Sequence, residues 1–211
     1  VHALWILHRL GSLDDADLVK SASNADALVR VHAMRLLSER GEWPESLRNL
    51  AIAGLNDTSA LVQRAAADAL APHPDPVQLR PLLAAIRRVD DGDPQLRHVL
   101  RMALRNQLRA VSSPLNPPEG TGTLMRLRSE IGDRKNLRIL ADVSLGLRTE
   151  EAGSFLLSYL EESKTDRELL TRCLRHAARW ISEEDLDALA DAVQTAVSYT
   201  HLRAHETEAA L

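Results

Sequence analysis

Residues 31–41, VHAMRLLSERG, repeat residues 1–11, VHALWILHRLG, at a distance of 30. The two stretches coincide at Val1/Val31, His2/His32, Ala3/Ala33, Leu7/Leu37 and Gly11/Gly41, and Leu4 stands opposite Met34. The pattern returns in residues 60–70, ALVQRAAADAL, which lie 33 after residues 27–37, ALVRVHAMRLL. A looser copy, LRHVLRMAL at 96–104, follows about 34 further on. A period of roughly 30–34 marks stacked repeats, in which each helical hairpin has too much apolar surface to hide alone. Stacking on the next hairpin buries it, at about 25 cal/mol per Å² of apolar area. Val1 already falls inside a repeat, so the sequence is expected to be a piece of a longer chain.

Read outward from this repeat, the chain predicts alternating helices. Residues 1–10 read as the second helix of a hairpin, stopped by Gly11. Helices follow at 14–22, 27–40, 45–55, 60–71, 77–89 and 94–111. Asn24 or Asp26 is placed at the cap of the third, Pro44 in the first turn of the fourth and Asp57-Thr58-Ser59 at the cap of the fifth. Leu28, Val31, Leu36 and Leu37 are expected to face inward, and the small face Ala65, Ala66, Ala67 and Ala69 suits closely packed helices. Residues 112–123, SSPLNPPEGTGT, are dense in Pro and Gly and read as a linker. Beyond it the repeats decay, with helices expected at 124–131, 136–147, 150–161, 167–181 and 183–196. Four segments result: regular repeats at 1–111, the linker at 112–123, degenerate helical repeats at 124–197 and a tail at 198–211.

Composition agrees with helix. Of 211 residues 45% are apolar but only 3% aromatic, so the core must be built from Leu, Ala, Val and Ile. A formal charge of −4 is too slight to imply nucleic acid or an anionic membrane. No run approaches the ~18 apolar residues of a bilayer span. Cys173 is the only cysteine, which excludes an internal disulfide.

The stretches Asp26-Ala-Leu-Val-Arg30-Val-His-Ala33 and Ser59-Ala-Leu-Val-Gln63-Arg-Ala-Ala66 resemble the Asp-x-x-Val-Arg-x-x-Ala signature of HEAT repeats. The period is nearer that of short bacterial HEAT-like units, including those of phycobilisome lyases, than the roughly 40–47 of longer ones. The resemblance implies an all-α, right-handed α-solenoid of HEAT-like hairpins, acting as a non-catalytic scaffold for protein–protein or interdomain contact, without a cofactor. VHALWILHRLG, VRVHAMRLLSERG and PQLRHVLRMALRNQL further resemble the HEAT segment of large bacterial proteins in which a dehydrogenase-like β-propeller precedes the repeats and a c-type cytochrome domain follows. That likeness implies a spacer within a redox protein, and a periplasmic location. Two other likenesses imply other roles: an accessory subunit like the bilin lyases, or a nucleic-acid-binding module like HEAT-like glycosylases. Residues 197–207, VSYTHLRAHET, resemble the translated readthrough of a sequencing adapter.

Candidate chemistry is sparse. His201 and His205 have the four-residue spacing of helix-borne metal ligands, but they lie in the tail and lack a third ligand. His2 and His32 recur at equivalent positions and read as seam residues donating to a neighbouring carbonyl. His73 shows no ligand spacing, and Trp5, Trp43 and Trp180 read as packing residues. Residues 119–123, EGTGT, lack the Lys and the preceding strand of a phosphate loop. Cys173 reads as a buried small hydrophobe. Arg97, Arg101, Arg105 and Arg109 fall at strict intervals of four on one helix that carries no acid. Arg172, Arg175 and Arg179 form a similar group, and Arg30 and Arg64 hold related positions earlier. Two readings stand for the Arg97–Arg109 series: a solvated face, or a basic stripe on the concave side that docks an acidic surface of a protein or neighbouring domain. Nucleic acid is disfavoured, because no aromatic residues interleave the arginines. No small-molecule substrate is identified and no membrane partner is expected.

The tail belongs to no repeat. A chain ending at Ala196 is therefore expected to melt at the same temperature as the full chain in a thermal scan, whereas a large drop would make the tail a capping element.

Overall fold

The structure, a computed structural model, describes residues 1–90, 92–111, 122–131, 133–162 and 167–195. Among them every regular element is helical, and the all-α expectation holds. The chain forms two compact units, Val1–Ser113 and Pro114–Leu211.

The first unit contains α1 (His2–Arg9), α2 (Asp15–Ala22), α3 (Ala27–Ser38), α4 (Glu45–Gly54), α5 (Ala60–Leu70), α6 (Leu79–Arg88) and α7 (Pro94–Val111). Helices α2 and α3, α4 and α5, and α6 and α7 pack as hairpins. Across hairpins α1 lies against α3, α3 against α5 and α5 against α7, while α2 lies against α4. The repeated packing follows the repeated sequence: Val31, Met34, Leu36 and Leu37 on α3 are buried, as are Val62, Ala65, Ala66, Ala67, Ala69 and Leu70 on α5. Leu28 is a correction. It is 55% exposed, because its place in the first turn of α3 lies at the rim of the stack, and its counterpart Leu61 is 57% exposed.

Helix ends follow local chemistry. Gly11 takes φ +67, and behind it Ser12 N–H donates to Leu7 O while Gly11 N–H donates to His8 O, a Schellman closure of α1. Asp14 and Asp26 cap α2 and α3 through their carboxylates. Two cap assignments change. Pro44 is the cap residue of α4 rather than a first-turn residue, and the Ser59 side chain makes no cap bond. Asp57 Oδ1 instead accepts from Ser59 N–H at 2.8 Å. Several helices also end one or two residues early, where N–H groups such as those of Glu39 and Arg40 turn to the carbonyl three residues back.

The second unit contains α8 (Thr123–Ile131), α9 (Arg134–Ser144), α10 (Glu150–Glu162), α11 (Arg167–Trp180) and α12 (residues 186–195), the last entered through a 3-10 turn at Glu183–Asp185. Helix α10 packs against α8, α9 and α11 around Phe155, which is fully buried with Leu156, Leu140 and Cys173. Thr123 belongs to α8 and not to the expected linker, whose residues 112–121 lie outside the described residues. Glu151 supplies the missing partner for that helix start, accepting from Leu124 N–H at 2.6 Å. The side chain of Ser182, expected as a cap, makes no such bond. The tail, 198–211, also lies outside the described residues.

Gly54 lets α4 come close to α5 and α3. A methyl group on Gly54 would stand 2.8 Å from Ala66 Cβ and 3.1 Å from the Met34 sulfur. Gly54→Ala and Ala66→Leu should therefore each overpack the seam and cost about 1–3 kcal/mol in denaturant unfolding. An unchanged midpoint for both would show that the helices can separate at no cost.

Candidate functional site

The arginines divide into two sets by what they touch. In the first set each guanidinium reaches the turn that opens a helix of the next hairpin. Arg30, on α3, holds Asp57 with two bonds, Nε to Oδ2 and Nη2 to Oδ1, each 2.8 Å. Its Nη1 donates to Asn24 O and Ala25 O. Arg64, on α5, repeats the arrangement toward Asp93 at 3.3 Å and also donates to Gln95 Oε1. Arg48, on α4, pairs with Asp75, ahead of α6.

Each aspartate does two things. Asp57 accepts from Ser59 N–H, Asp93 from Leu96 N–H and Asp75 from Val77 N–H, so each fixes the start of the next helix while it holds an arginine of the hairpin before. The electrostatics agree. The Arg30 hydrogen bond holds the Asp57 carboxyl below its usual range, and Asp57 in turn raises Arg30. The Asp93 carboxyl is held low first by the Leu96 N–H and then by Arg64. Arg30 and Arg64, which hold positions related to the α7 series, are thus bonded within the first unit.

The second set lies on α7, where the buried stripe is Leu96, Leu100, Ala103, Leu104, Gln107 and Leu108. Arg97, Arg101, Arg105 and Arg109 run obliquely away from it, the first three half-buried and Arg109 exposed. Arg97 Nη2 donates to Val89 O at 3.2 Å, and neither it nor Arg101 is without further partners. Arg105 Nη2 lies 3.4 Å from Asn106 Oδ1, a neutral acceptor. Among the described residues no carboxylate pairs with Arg105 or Arg109. On α5, Asp68 carries a carboxyl raised by burial and opposed by the charge of Arg35. In the second unit Arg172 reaches Asp142 at 3.2 Å, and Arg175 and Arg179 are exposed.

His32 is a seam residue, but its Nδ1 accepts from the Trp5 indole N–H at 3.0 Å instead of donating to a carbonyl. His2 is exposed. Trp43 packs, its ring stacked on His73 with centroids 4.1 Å apart and its Nε1 donating to Leu37 O. Cys173 is buried. His201 and His205 lie outside the described residues. Among the described residues no cluster of His, Cys, Asp and Glu could hold a metal, and no helix is long and apolar enough to cross a membrane.

Gln78 and Gln107 escaped the sequence reading. Gln107 is fully buried, with Nε2 donating to Leu70 O at 2.6 Å and Oε1 accepting from Asp75 N–H at 2.8 Å. Its place on the apolar stripe of α7, between Ala103 and Leu108, was the available clue. Comparison with protein-family models and with curated proteins finds no match.

Asp57 binds its proton more weakly in the folded chain than in the unfolded one, so acid draws protons to the unfolded state. The contribution of Asp57 is therefore complete above about pH 4, the ordinary aspartate value, and is lost as pH falls below it. Asp57→Asn should lower the melting midpoint by several degrees at pH 7 and flatten its fall between pH 5 and about pH 3. An unaltered acid limb in differential scanning calorimetry would remove Asp57 from this role.

Proposed function

We propose that the chain is a HEAT-like scaffold, a right-handed α-solenoid segment without catalytic chemistry, that docks an acidic surface of a protein or neighbouring domain through α7. The reading rests on one contrast. Arg30, Arg48 and Arg64 are each taken up by an aspartate of the stack, whereas Arg105 and Arg109 meet no carboxylate among the described residues. Arg105 and Arg109, about one turn apart on a helix with no acid, repel each other by a few tenths of a kcal/mol. An acidic surface relieves that repulsion and accepts their planar hydrogen-bond donors. The helix-on-helix packing of α1, α3, α5 and α7 supports the solenoid reading, since each hairpin offers the next the same face.

The reading can be tested with poly-L-glutamate as the acidic probe and duplex DNA as the competing polyanion. Binding of poly-L-glutamate should weaken steeply as salt rises, and the double variant R105Q/R109Q should lose several-fold in affinity while keeping its helical circular dichroism. Equal binding by the double variant, or a marked preference for DNA, would overturn the assignment.

A further inference from the structure

Trp5 sits where α1 meets α3, between two imidazoles. His8 on α1 and His32 on α3 both meet the indole edge-on, with centroids 6.0 and 6.1 Å away. Only His32 is hydrogen-bonded to it, Trp5 Nε1 donating to His32 Nδ1 at 3.0 Å. An indole N–H is a donor and nothing else, so the imidazole nitrogen it meets must keep a lone pair. Neutral His32 meets this requirement with its proton on Nε2. The imidazolium carries protons on both nitrogens, and its Nδ1–H would point at the indole N–H. The bond therefore exists in one protonation state only.

The rest of the α1 contact is thin. The helix has no buried residue: Leu4, Trp5, Leu7 and His8 are half-buried, and Ile6 and Leu10 are 58% and 71% exposed. Every other α-helix of the first unit buries at least one leucine. One hydrogen bond is thus a large part of what holds α1 on α3.

The surroundings of His32 oppose a positive charge. Burial comes first, then Arg35 on its own helix, then the Val1 amino group and His2 on α1, and together they hold the imidazole below its usual range. Helices α2, α4 and α5, which also pack on α3, bring no charged group to it.

We propose that His32 is a proton-operated latch for α1: the neutral ring holds the helix on α3 through Trp5, and protonation releases it while the hairpins from α2 to α7 stay folded. A docked state that excludes the proton is fully favoured above the ordinary histidine value, about 6.5, and weakens by up to about tenfold per pH unit below it. The latch involves none of the α7 arginines and is independent of the docking reading.

Titration of the ¹⁵N-labelled chain from pH 8 to pH 5 tests it. The Trp5 indole N–H resonance should move upfield toward its unbonded position. Hydrogen-exchange protection of the α1 amides, corrected for intrinsic rates, should fall roughly tenfold between pH 7 and pH 5, while α5 and α7 keep theirs. His32→Gln supplies an uncharged acceptor at every pH, so the indole shift should vanish, whereas His2→Gln and His8→Gln should retain it. Trp5→Phe serves if His32→Gln fails to fold: without the indole donor, the His32 imidazole C–H resonances should titrate at a higher pH than in the parent chain. An indole resonance that stays still between pH 8 and pH 5, or one that still shifts in His32→Gln, would overturn the proposal. So would a shift lost in His8→Gln, an unchanged His32 titration in Trp5→Phe, or loss of protection in α5 and α7 together with α1.

Discussion

The first unit depends on one device used three times: an aspartate in the turn before a helix that accepts from that helix's first N–H groups and from an arginine of the preceding hairpin. Arg30–Asp57, Arg64–Asp93 and Arg48–Asp75 are its instances. Apolar contact alone does not set register, because leucine and alanine faces can slide on one another with little change in buried area. A bonded carboxylate cannot slide. With Asp57 tied to both Arg30 and Ser59 N–H, α5 has one possible start relative to α3. The pairing is mostly shielded, at 13% and 14% side-chain exposure, so solvent screens it less than it would a surface ion pair.

Where that device stops, other groups take over. Helix α7 is followed by no further hairpin of the first unit, and its Arg105 and Arg109 have no counterpart of Asp57 or Asp93 among the described residues. Its buried Gln107 works backward instead, accepting from Asp75 N–H and donating to Leu70 O at the end of α5. One glutamine therefore joins the carbonyl of Leu70, which also accepts from His73 N–H, to the backbone N–H of the ion-paired Asp75. Gln78 serves the same bend through His73 O. The 72–76 bend, built from three prolines that cannot donate, needs side chains to complete its bonding, and the cleft beside Trp43 is the space that this arrangement leaves.

The second unit solves the same problem with less repetition. Phe155, the chain's only phenylalanine, fills the centre that leucines and alanines share in the first unit. Gly153 lets α10 meet the end of α11 so closely that a methyl group there would lie 2.9 Å from the Trp180 backbone carbon. Glu151 reaches from α10 to the start of α8 and accepts from Leu124 N–H. Side chains from neighbouring helices, rather than a recurrent motif, hold these elements in place.

The sequence by itself determined that the chain is helical, and where most of its helices run. Hydrophobic period, helix propensity and turn residues are local properties, and the copies at 1–11, 31–41 and 60–70 each carry them. It also determined the burial of the alanine face 65–69, since small residues at helical spacing leave few other uses. Tertiary structure alone decided which arginines are spent. Arg30, Arg64, Arg105 and Arg109 look alike in one dimension, and only the placement of Asp57 and Asp93, 27 and 29 residues downstream of the first two, separates them. It likewise turned Leu28 outward, made His32 an acceptor for Trp5, and buried Gln78 and Gln107. Each outcome depends on what the next helix brings opposite a side chain, and that is set by the packing of whole hairpins rather than by the residues on either side.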